Sequence, residues 1–169
     1  MDKQSLIFRD STIADLETIV DIYNSTVASR LVTADTEPVS VESKRAWFNV
    51  HSAEKRPLWM VERGEDQATI GWVSFQSFYG RPAYDGTVEI SIYLHKSQRG
   101  KGYGKDILRY SMDKAPNFGI KTLLAYIFAH NEPSLALFEK FGFAEWANLP
   151  EIAVLDGVKR SLIILGKHL

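Results

Sequence analysis

A glycine-rich segment with several basic residues is the part of the sequence best suited to binding an anion. Its glycines alternate with larger residues, in the order Gln98, Arg99, Gly100, Lys101, Gly102, Tyr103, Gly104, Lys105. Alternating glycines let the backbone turn tightly and present several N–H groups on one side. A helix that begins at such a turn adds the partial positive charge of its N-terminus. The segment therefore predicts a site for a pyrophosphate group.

The two common nucleotide-binding motifs do not fit this turn. A P-loop requires Ser or Thr after its lysine, whereas Asp106 follows Lys105, and no glycine lies five residues before Gly104. A dinucleotide fingerprint requires a third small residue, and that position falls on Lys105 or Ile107. One alternative stays open at this point, a glycine-rich turn whose lysines are simply solvated.

A carboxylate just before the turn has the right placement to accept a proton. Between Thr87 and Leu94, apolar residues such as Val88 alternate with Glu89 and Ser91, which is the pattern of a strand with two different faces. A carboxylate beside an ammonium group can act as a general base, and an apolar cleft raises its pKa toward neutrality. The alternative is a surface glutamate on a half-exposed strand.

Composition excludes several other classes of site. Twenty basic and 21 acidic residues give a net charge of -1, so no overall attraction to nucleic acid is expected. The absence of cysteine rules out disulfides, thiolate catalysis and cysteine-ligated zinc. The four histidines lack the spacing of a metal site, and we predict no metal. The first residues are too weakly apolar for a signal peptide and no stretch is long enough to span a bilayer, so a cytoplasmic protein is predicted.

The hydrophobic pattern predicts alternating strands and helices in one α/β domain over residues 1–169. The predicted strands are Leu6–Arg9, Leu58–Glu62, Thr69–Ser77, Thr87–Leu94, Thr122–Phe128, Phe143–Leu149 and Arg160–Leu165. The predicted helices begin near Thr12, Ser40, Tyr103 and Asn131. The second of these helices is expected to bury Trp47, Phe48 and Val50.

Two motifs in this order resemble a known family. Arg99-x-x-Gly102-x-Gly104 after a strand resembles the pyrophosphate-binding motif of the GNAT superfamily of N-acetyltransferases, and Asn131-Glu132-Pro133-Ser134 with Leu137 to Phe143 resembles its second cofactor motif. Shorter segments are similar to the phosphinothricin N-acetyltransferase family: Ile22-Tyr23-Asn24, Thr36-Glu37-Pro38, Trp47-Phe48 and Thr87-Val88-Glu89. The resemblance runs from about Phe8 to the C-terminus.

The resemblance implies the GNAT fold, a mixed, splayed sheet with helices on both faces, together with acetyl-CoA as the acetyl donor and commonly a homodimer. It implies cofactor contacts from Ile92, Tyr93, Leu94, Arg99, the turn from Gly100 to Lys105, Asn131 and Ser134. It puts Glu89 where the family keeps its general base. The residues implied around the acceptor are Phe78, Tyr79, Gly80, Arg81, Ile90 and Ser91.

Several acceptors, and several proton donors to the leaving thiolate, are compatible with the sequence. The resemblance favours an amino acid such as phosphinothricin, methionine sulfoximine or methionine sulfone, which acetylation would detoxify. Arg81 could pair with the acidic group of such an acceptor, and a solvated loop arginine beside Pro82 is the alternative. A polyamine, a protein N-terminus or a non-catalytic acyl-CoA sensor are the alternatives. Phe138 occupies the position at which many of these enzymes have a tyrosine that donates a proton to the leaving thiolate. The remaining possibilities are a proton from water, a proton from Tyr103, or departure of the thiolate without protonation.

Overall fold

The computed structural model describes residues 5–169, and its strands form one seven-stranded sheet in the order β1-β2-β3-β4-β5-β7-β6. The strands are β1 Leu6–Asp10, β2 Leu58–Arg63, β3 Thr69–Ser77, β4 Thr87–Leu94, β5 Thr122–Phe128, β6 Ala144–Leu155 and β7 Val158–His168. The helices are α1 Leu16–Val27, α2 Arg45–Asn49, α3 Tyr103–Lys114 and α4 Glu132–Lys140. Short 3-10 turns lead into α1 and α2.

The sheet is mixed and carries helices on both faces, as the resemblance implied. β4 and β5 run parallel, whereas the other neighbouring pairs are antiparallel. α3 contributes Ile107 and Leu108 to the core on one face. α1 contributes Ile19 and Ile22 to a smaller core on the other face, where they pack against Trp72. The predicted α/β class and GNAT fold are therefore confirmed.

Two expectations about individual elements differ from the structure. Val50 is 64% exposed, so its prediction as a buried anchor is wrong. α2 has only five residues and ends before Val50, and one short helix cannot direct all three residues into the core. The two late strands are also longer than predicted, because they pair with each other beyond the segments that show an apolar pattern.

The splay of the sheet lies between β4 and β5. These strands pair only where Thr87–Glu89 face Thr122–Leu124, yet β4 continues to Leu94 and β5 to Phe128. Beyond Glu89 each strand keeps its partner on the outer side, β3 for β4 and β7 for β5. The two inner edges therefore diverge and open a cleft in the sheet.

β6 is the last strand of the sheet and exposes large apolar side chains. Those that are more than a third exposed are Trp146, Leu149, Ile152 and Val154, followed by Val158 at the start of β7. The turn between the two strands has positive φ at Asp156 and Gly157, as a tight hairpin turn requires. Within residues 5–169, the helices are all too short or too polar to cross a membrane. That residues 1–169 form a single domain stays a prediction.

Candidate active site

A cleft with a volume of about 490 Å³ lies between the diverging strands. β4 and β5 form its floor, the loop Leu31–Ala34 covers one side, and α3 and α4 close one end. The predicted site residues that line it are Glu89, Ile90, Ser91, Ile92, Tyr93, Leu94, Arg99, Gly104, Asn131 and Ser134. The structure thus brings residues from both predicted cofactor motifs together with the predicted base.

Glu89 lies where the paired part of β4 ends and the cleft begins. Its neighbours across the sheet are Gln76 on β3 and Leu124 on β5. Burial raises the pKa of Glu89 above its ordinary value, and a hydrogen bond from the Ser91 hydroxyl opposes this shift. Desolvation disfavours the ionised carboxylate and makes it a stronger proton acceptor. Glu89 is therefore a partly buried carboxylate at the inner end of the cleft.

The outer half of β4 presents an unpaired strand edge to the cleft. Ile92 and Leu94 pack against the core, as does Ile90, while Tyr93 packs on the opposite face, stacked 4.5 Å from Trp72. The predicted alternation of β4 is therefore confirmed. Because β5 has diverged, backbone groups of Ile92–Leu94 on this edge can pair with an extended ligand, as strand-adding ligands do.

The glycine-rich turn leads from β4 into α3 at the other end of the cleft. Gly100 and Gly102 have φ of +75° and +84°, and a Cβ at either would meet nothing within 4 Å. Gly102 is the N-cap of α3. Arg99 and Gly104 line the cleft, whereas Gly100, Lys101, Gly102, Tyr103 and Lys105 lie outside its lining. The turn thus combines an open glycine surface, exposed lysines and a helix N-terminus, which suits a diphosphate.

Asn131 connects α4 to the loop that covers the cleft. Its side chain caps α4 by accepting a hydrogen bond from the Ser134 N–H at 3.4 Å, and its amide donates to the Leu31 carbonyl at 3.2 Å. The His130 ring adds a second contact to this loop, at the Arg30 carbonyl. Asn131 therefore shapes the cleft wall, and its predicted contact with a cofactor stays a prediction.

The predicted acceptor residues fall into two groups. Ile90 and Ser91 line the cleft with Glu89, whereas the loop Phe78–Arg81 does not. Tyr79 is 78% exposed with φ of +53°, and the Gly80 N–H donates to the Phe78 carbonyl at 2.7 Å, which forms a strained three-residue turn. The Phe78 N–H donates to the Thr87 carbonyl at 3.2 Å, close to Glu89 on β4. The loop therefore lies beside the Glu89 end of the cleft, and its contact with an acceptor stays a prediction.

A buried arginine, which the sequence did not single out, holds this loop at both ends. Arg56 is 5% exposed. Its guanidinium donates to the Ser77 hydroxyl at 2.7 Å and to the Asp85 carbonyl at 2.6 Å. Ser77 ends β3 and Asp85 follows the loop, so one cation fixes the span between them. Only the long-range pairing of the chain, which no local pattern reveals, could identify this role.

The cleft contains a tyrosine that the sequence analysis also missed. Phe138 lines the cleft and packs edge-to-face on Phe143, and it has no proton to donate. Tyr103 is buried in the core, outside the cleft lining. Tyr126 on β5 faces the cleft, and its pKa is raised by burial and by the charge of Glu89. The alternation of β5, with Leu124 and Tyr126 on the face that carries Glu89, was the signal that could have found it.

No group of three or more histidine, aspartate and glutamate side chains suited to a metal ion occurs within residues 5–169. The predicted absence of a metal nevertheless stays a prediction.

Comparison with known proteins identifies the fold and the family. The family described as Acetyltransferase (GNAT) domain matches residues 5–144. The Bacillus subtilis (strain 168) protein named "Putative phosphinothricin acetyltransferase YwnH" is 54% identical over 155 residues, which cover 92% of this chain and 94% of that protein. The L-methionine sulfoximine/L-methionine sulfone acetyltransferase of Pseudomonas aeruginosa is 29% identical over 148 residues, covering 88% of this chain and 86% of that one.

A solved structure agrees with these sequence matches. The GNAT superfamily phosphinothricin acetyltransferase (Pat) from Sinorhizobium meliloti, crystallised in complex with acetyl-CoA, superimposes with a TM-score of 0.88 at 27% identity, covering 97% of this chain and 88% of that chain. Acetyl-CoA is thus bound in a structural neighbour of this fold. The chain therefore belongs to the GNAT superfamily, as an N-acetyltransferase of the phosphinothricin acetyltransferase family.

Proposed function

We propose that this enzyme uses acetyl-CoA to acetylate the amine of a small amino acid, with Glu89 as the general base. The observation that carries the proposal is the shared cleft: Glu89 lies at its inner end, and the glycine-rich turn lies at its other end. Acetyl-CoA, when bound, supplies the thioester that the amine attacks. The surface over Gly100 and Gly102 is open, because neither glycine has a side chain that would occupy this space. The open surface can therefore accommodate a diphosphate.

Glu89 takes the proton that the acceptor must lose before it can attack. An α-ammonium has no free electron pair until it is deprotonated, and a carboxylate within hydrogen-bond reach can remove the proton directly or through one water molecule. The raised pKa of Glu89 supports this role, because it brings the affinity of the carboxylate for a proton closer to that of the amine. Backbone N–H groups of residues 90–93 can then stabilise the negative charge that develops on the carbonyl oxygen.

Tyr126 is the proposed proton donor to the leaving thiolate, in place of Phe138. Tyr126 lines the same cleft as Glu89, and its raised pKa keeps its hydroxyl protonated at neutral pH. A thiol leaving group has a pKa of about 8.5, so its departure needs only modest assistance. Water in the open cleft can supply the same proton at a lower rate.

The names of the relatives support an amino-acid acceptor. The Pseudomonas aeruginosa relative is named for methionine sulfoximine and methionine sulfone, and two others are named for phosphinothricin. We propose the same class of acceptor here, with Tyr79 and Arg81 of the exposed loop closing over it and Arg81 pairing with its acidic group. Acetylation of the amine would detoxify such glutamate analogues.

The enzyme is further proposed to act as a homodimer in the cytoplasm. The exposed apolar side chains of β6 and the start of β7 support a second copy at this edge of the sheet, because a run of exposed apolar residues is unusual on a monomer surface. Ile152 and Ala153 of β6 also line the cleft, so the partner would lie beside the site. Sedimentation equilibrium of the wild-type chain would detect the dimer, and a monomer at micromolar concentration would contradict it.

A panel of amines tests the acceptor class. Release of CoA thiol from acetyl-CoA is measured with methionine sulfoximine, methionine sulfone, phosphinothricin, spermidine and a peptide with a free N-terminus. The proposal predicts release with the first three at rates well above the acceptor-free rate. Release only with spermidine or only with the peptide would show that the acceptor is a polyamine or a protein N-terminus instead. Binding of acetyl-CoA without release for any amine would favour the acyl-CoA sensor.

A further inference from the structure

A side pocket opens from the cleft on the face of the sheet that carries Glu89. It has a volume of about 90 Å³ and lies between α1, α2 and strands β3 and β4. Ser91 and Tyr93 line both the pocket and the cleft. Both share the face of β4 that carries Glu89, since alternate residues of a strand point to the same side. A ligand at Glu89 can therefore extend into the pocket.

Four aromatic rings form the apolar wall of the pocket: Tyr23, Trp47, Trp72 and Tyr93. Trp72 stacks on Tyr93 with the ring centres 4.5 Å apart, and Trp47 lies 5.4 Å from Trp72. The Tyr23 and Tyr93 rings are 5.2 Å apart. The Trp72 indole N–H donates to the Ile19 carbonyl at 3.1 Å, which fixes this ring. The wall is therefore formed before a ligand binds, and it offers contacts to methyl and methylene groups.

Lys44 supplies the charge of the pocket. Of the residues that line it, all of which lie within 5–169, Lys44 alone carries a formal charge. Its ammonium lies 4.8 Å from the centre of the Tyr23 ring, a cation–π contact, and 4.0 Å from the Asp35 carboxylate. The second distance exceeds hydrogen-bond length, so the contact with Asp35 occupies none of the three ammonium donors. Lys44 can therefore donate to an oxygen atom of a ligand in the pocket.

Two serines add hydroxyl groups to the floor of the pocket. Ser74 on β3 is buried, and it lies opposite Ser91 on β4. Hydroxyl groups can both donate and accept hydrogen bonds. The next pair on the same face is Gln76 and Glu89, which lies two residues along the strands, or roughly 6–7 Å away. The floor thus begins a short distance from the proposed base.

The volume of the pocket suits a short side chain. A single water molecule needs roughly 10–15 Å³ of such volume, whereas an engineered cavity that binds benzene has about 150 Å³. With about 90 Å³, the pocket holds a group of a few heavy atoms and excludes an aromatic ring. An amino acid of the length of methionine, with its amine at Glu89, spans the two-residue step and places the end of its side chain beside the aromatic wall.

We propose that this pocket binds the side chain of the amino-acid acceptor, and that Lys44 selects a side chain that ends in a tetrahedral, oxygen-rich group. The inference rests on the proposed function, because it takes the acceptor amine to lie at Glu89. An oxygen of the group accepts a hydrogen bond from the Lys44 ammonium. The methyl group of a sulfone or phosphinate packs on Trp47 and Trp72.

The rest of the acceptor then lies on the other side of Glu89. The loop Phe78–Arg81 joins the start of β4, where the Phe78 N–H donates to the Thr87 carbonyl at 3.2 Å. Thr87 and Ser91 lie on opposite sides of Glu89 along the strand. Arg81 therefore pairs with the α-carboxylate, while the side chain points away from this loop and into the pocket.

The charge of Lys44 predicts an order among acceptors. A phosphinate is an anion, so its hydrogen bond to the ammonium is stronger than that of a neutral sulfone or sulfoximine. A thioether such as methionine has no oxygen for Lys44 to bind. A polyamine would bring a second positive charge toward Lys44, which repels it.

The test compares kcat/KM of Lys44→Met and wild type for phosphinothricin, methionine sulfone and methionine, at saturating acetyl-CoA. The new side chain keeps the apolar stem of lysine and removes the ammonium. We expect a loss of about 10- to 100-fold for phosphinothricin and about 3- to 10-fold for methionine sulfone, from the usual strengths of charged and neutral hydrogen bonds. Methionine should be nearly unaffected. The losses should appear in KM, because Lys44 holds the side chain rather than the reacting atoms.

Lys114→Met is the matched control. Lys114 Nζ lies 5.7 Å from the centre of the Tyr110 ring and 3.4 Å from the Asp113 carboxylate. It thus has the same kinds of neighbour as Lys44, but on α3, which packs on the other face of the sheet. This variant should leave kcat/KM unchanged for all three acceptors.

An equal loss for the three acceptors in Lys44→Met, or no loss, would overturn the role of Lys44 and leave the proposed function standing. Lys44→Gln replaces this variant if it fails to fold, with the same order expected. The wild-type enzyme gives a second measurement: phenylalanine should have a kcat/KM about tenfold or more below that of methionine sulfone, because its ring overfills the pocket. Equal values would overturn the pocket as the side-chain site. If the wild-type enzyme acetylates no amine, the proposed function fails and this inference fails with it.

Discussion

Glu89 lies directly opposite Leu124, at the last position where β4 and β5 pair. Beyond this position the sheet opens, so the carboxylate is fixed on a paired strand while its neighbours along β4 face the cleft. Paired backbone holds a base more precisely than a loop could. The same position explains why Glu89 is partly buried and still accessible to a ligand.

Replacement of the proposed base should reduce turnover and leave cofactor binding intact. For Glu89→Gln we expect kcat/KM at neutral pH to fall about 10²- to 10⁴-fold, the usual contribution of a general base. Thiol release gives the rate, and calorimetry gives the affinity for acetyl-CoA. The matched control is Glu54→Gln, an exposed glutamate outside the cleft. Equal rates for the two variants would remove Glu89 from the mechanism.

The same variant should be more stable than the wild type at neutral pH. Burial raises the pKa of Glu89 in the folded state above 4.5, its ordinary value, so folding disfavours the ionised form. The free energy of unfolding of the wild type therefore falls as the pH rises from the unfolded-state pKa of Glu89 to its higher folded-state pKa. Below the unfolded-state pKa the penalty is absent. The difference in the free energy of unfolding between Glu89→Gln and wild type should be positive at pH 7 and vanish near pH 3. Urea denaturation at both pH values measures it, and a difference that does not change with pH would contradict the raised pKa.

The glycine-rich turn can be tested with two glycines in similar conformations. Gly102 and Gly157 have φ of +84° and +78°, and a Cβ at either would meet nothing within 4 Å. Each Gly→Ala change should cost about 1–2 kcal/mol of stability, the penalty for a left-handed residue with a side chain. Only Gly102→Ala should also weaken CoA binding, since Gly157 lies in the β6–β7 turn. If calorimetry gave the two variants equal affinities for CoA, the glycine-rich turn would not be the site that binds the diphosphate.

The buried arginine should affect the acceptor more than the cofactor. Arg56→Met removes the donors to the Ser77 hydroxyl and the Asp85 carbonyl, which should cost about 1–3 kcal/mol in unsatisfied groups. We expect a higher KM for the acceptor and an unchanged affinity for acetyl-CoA. Lys55→Met is the control, because Lys55 also contacts Asp85 but is 58% exposed. An unchanged acceptor KM in folded Arg56→Met would show that the loop Phe78–Arg81 does not contact the acceptor.

Tyr126→Phe tests the proposed proton donor. The change should lower kcat at neutral pH by about 10²-fold, the lower end of the range for acid catalysis. Above about pH 8.5 the free thiolate is the stable form, and the defect should shrink because protonation is no longer needed. A defect that is equally large at pH 7 and pH 9.5 would indicate that Tyr126 contacts the acceptor instead.

The sequence predicted those parts of the site that depend on local pattern. The alternation of Val88 and Glu89 fixed the two faces of β4, and the glycine spacing placed the start of α3 at Tyr103. Parts that depend on distant contacts were not predictable. Arginine is usually exposed to solvent, so the residue type did not indicate that Arg56 is buried. Only the fold brings Arg56 to both ends of the loop Phe78–Arg81, which lies more than one strand away along the chain.

β6 shows the same limit for secondary structure. Nearly all of its residues are exposed, and its register with β7 shifts twice, so no alternation marks its length. Backbone pairing with β7, rather than burial, defines its ends. The hydrogen bonds that join the Tyr23 hydroxyl to Thr33 and Asp35 were equally hidden, because hydroxyl residues in a loop are common and only the folded chain aligns them.

The most direct test of the central claim is the fate of a labelled acetyl group. The wild-type enzyme is incubated with acetyl-CoA carrying a ¹³C-labelled acetyl group and with methionine sulfoximine, and the acceptor is analysed by mass spectrometry and NMR. The account predicts the labelled acetyl group on the α-amine, with one CoA thiol released for each product. Unmodified acceptor together with acetyl-CoA consumption no faster than in its absence would contradict it.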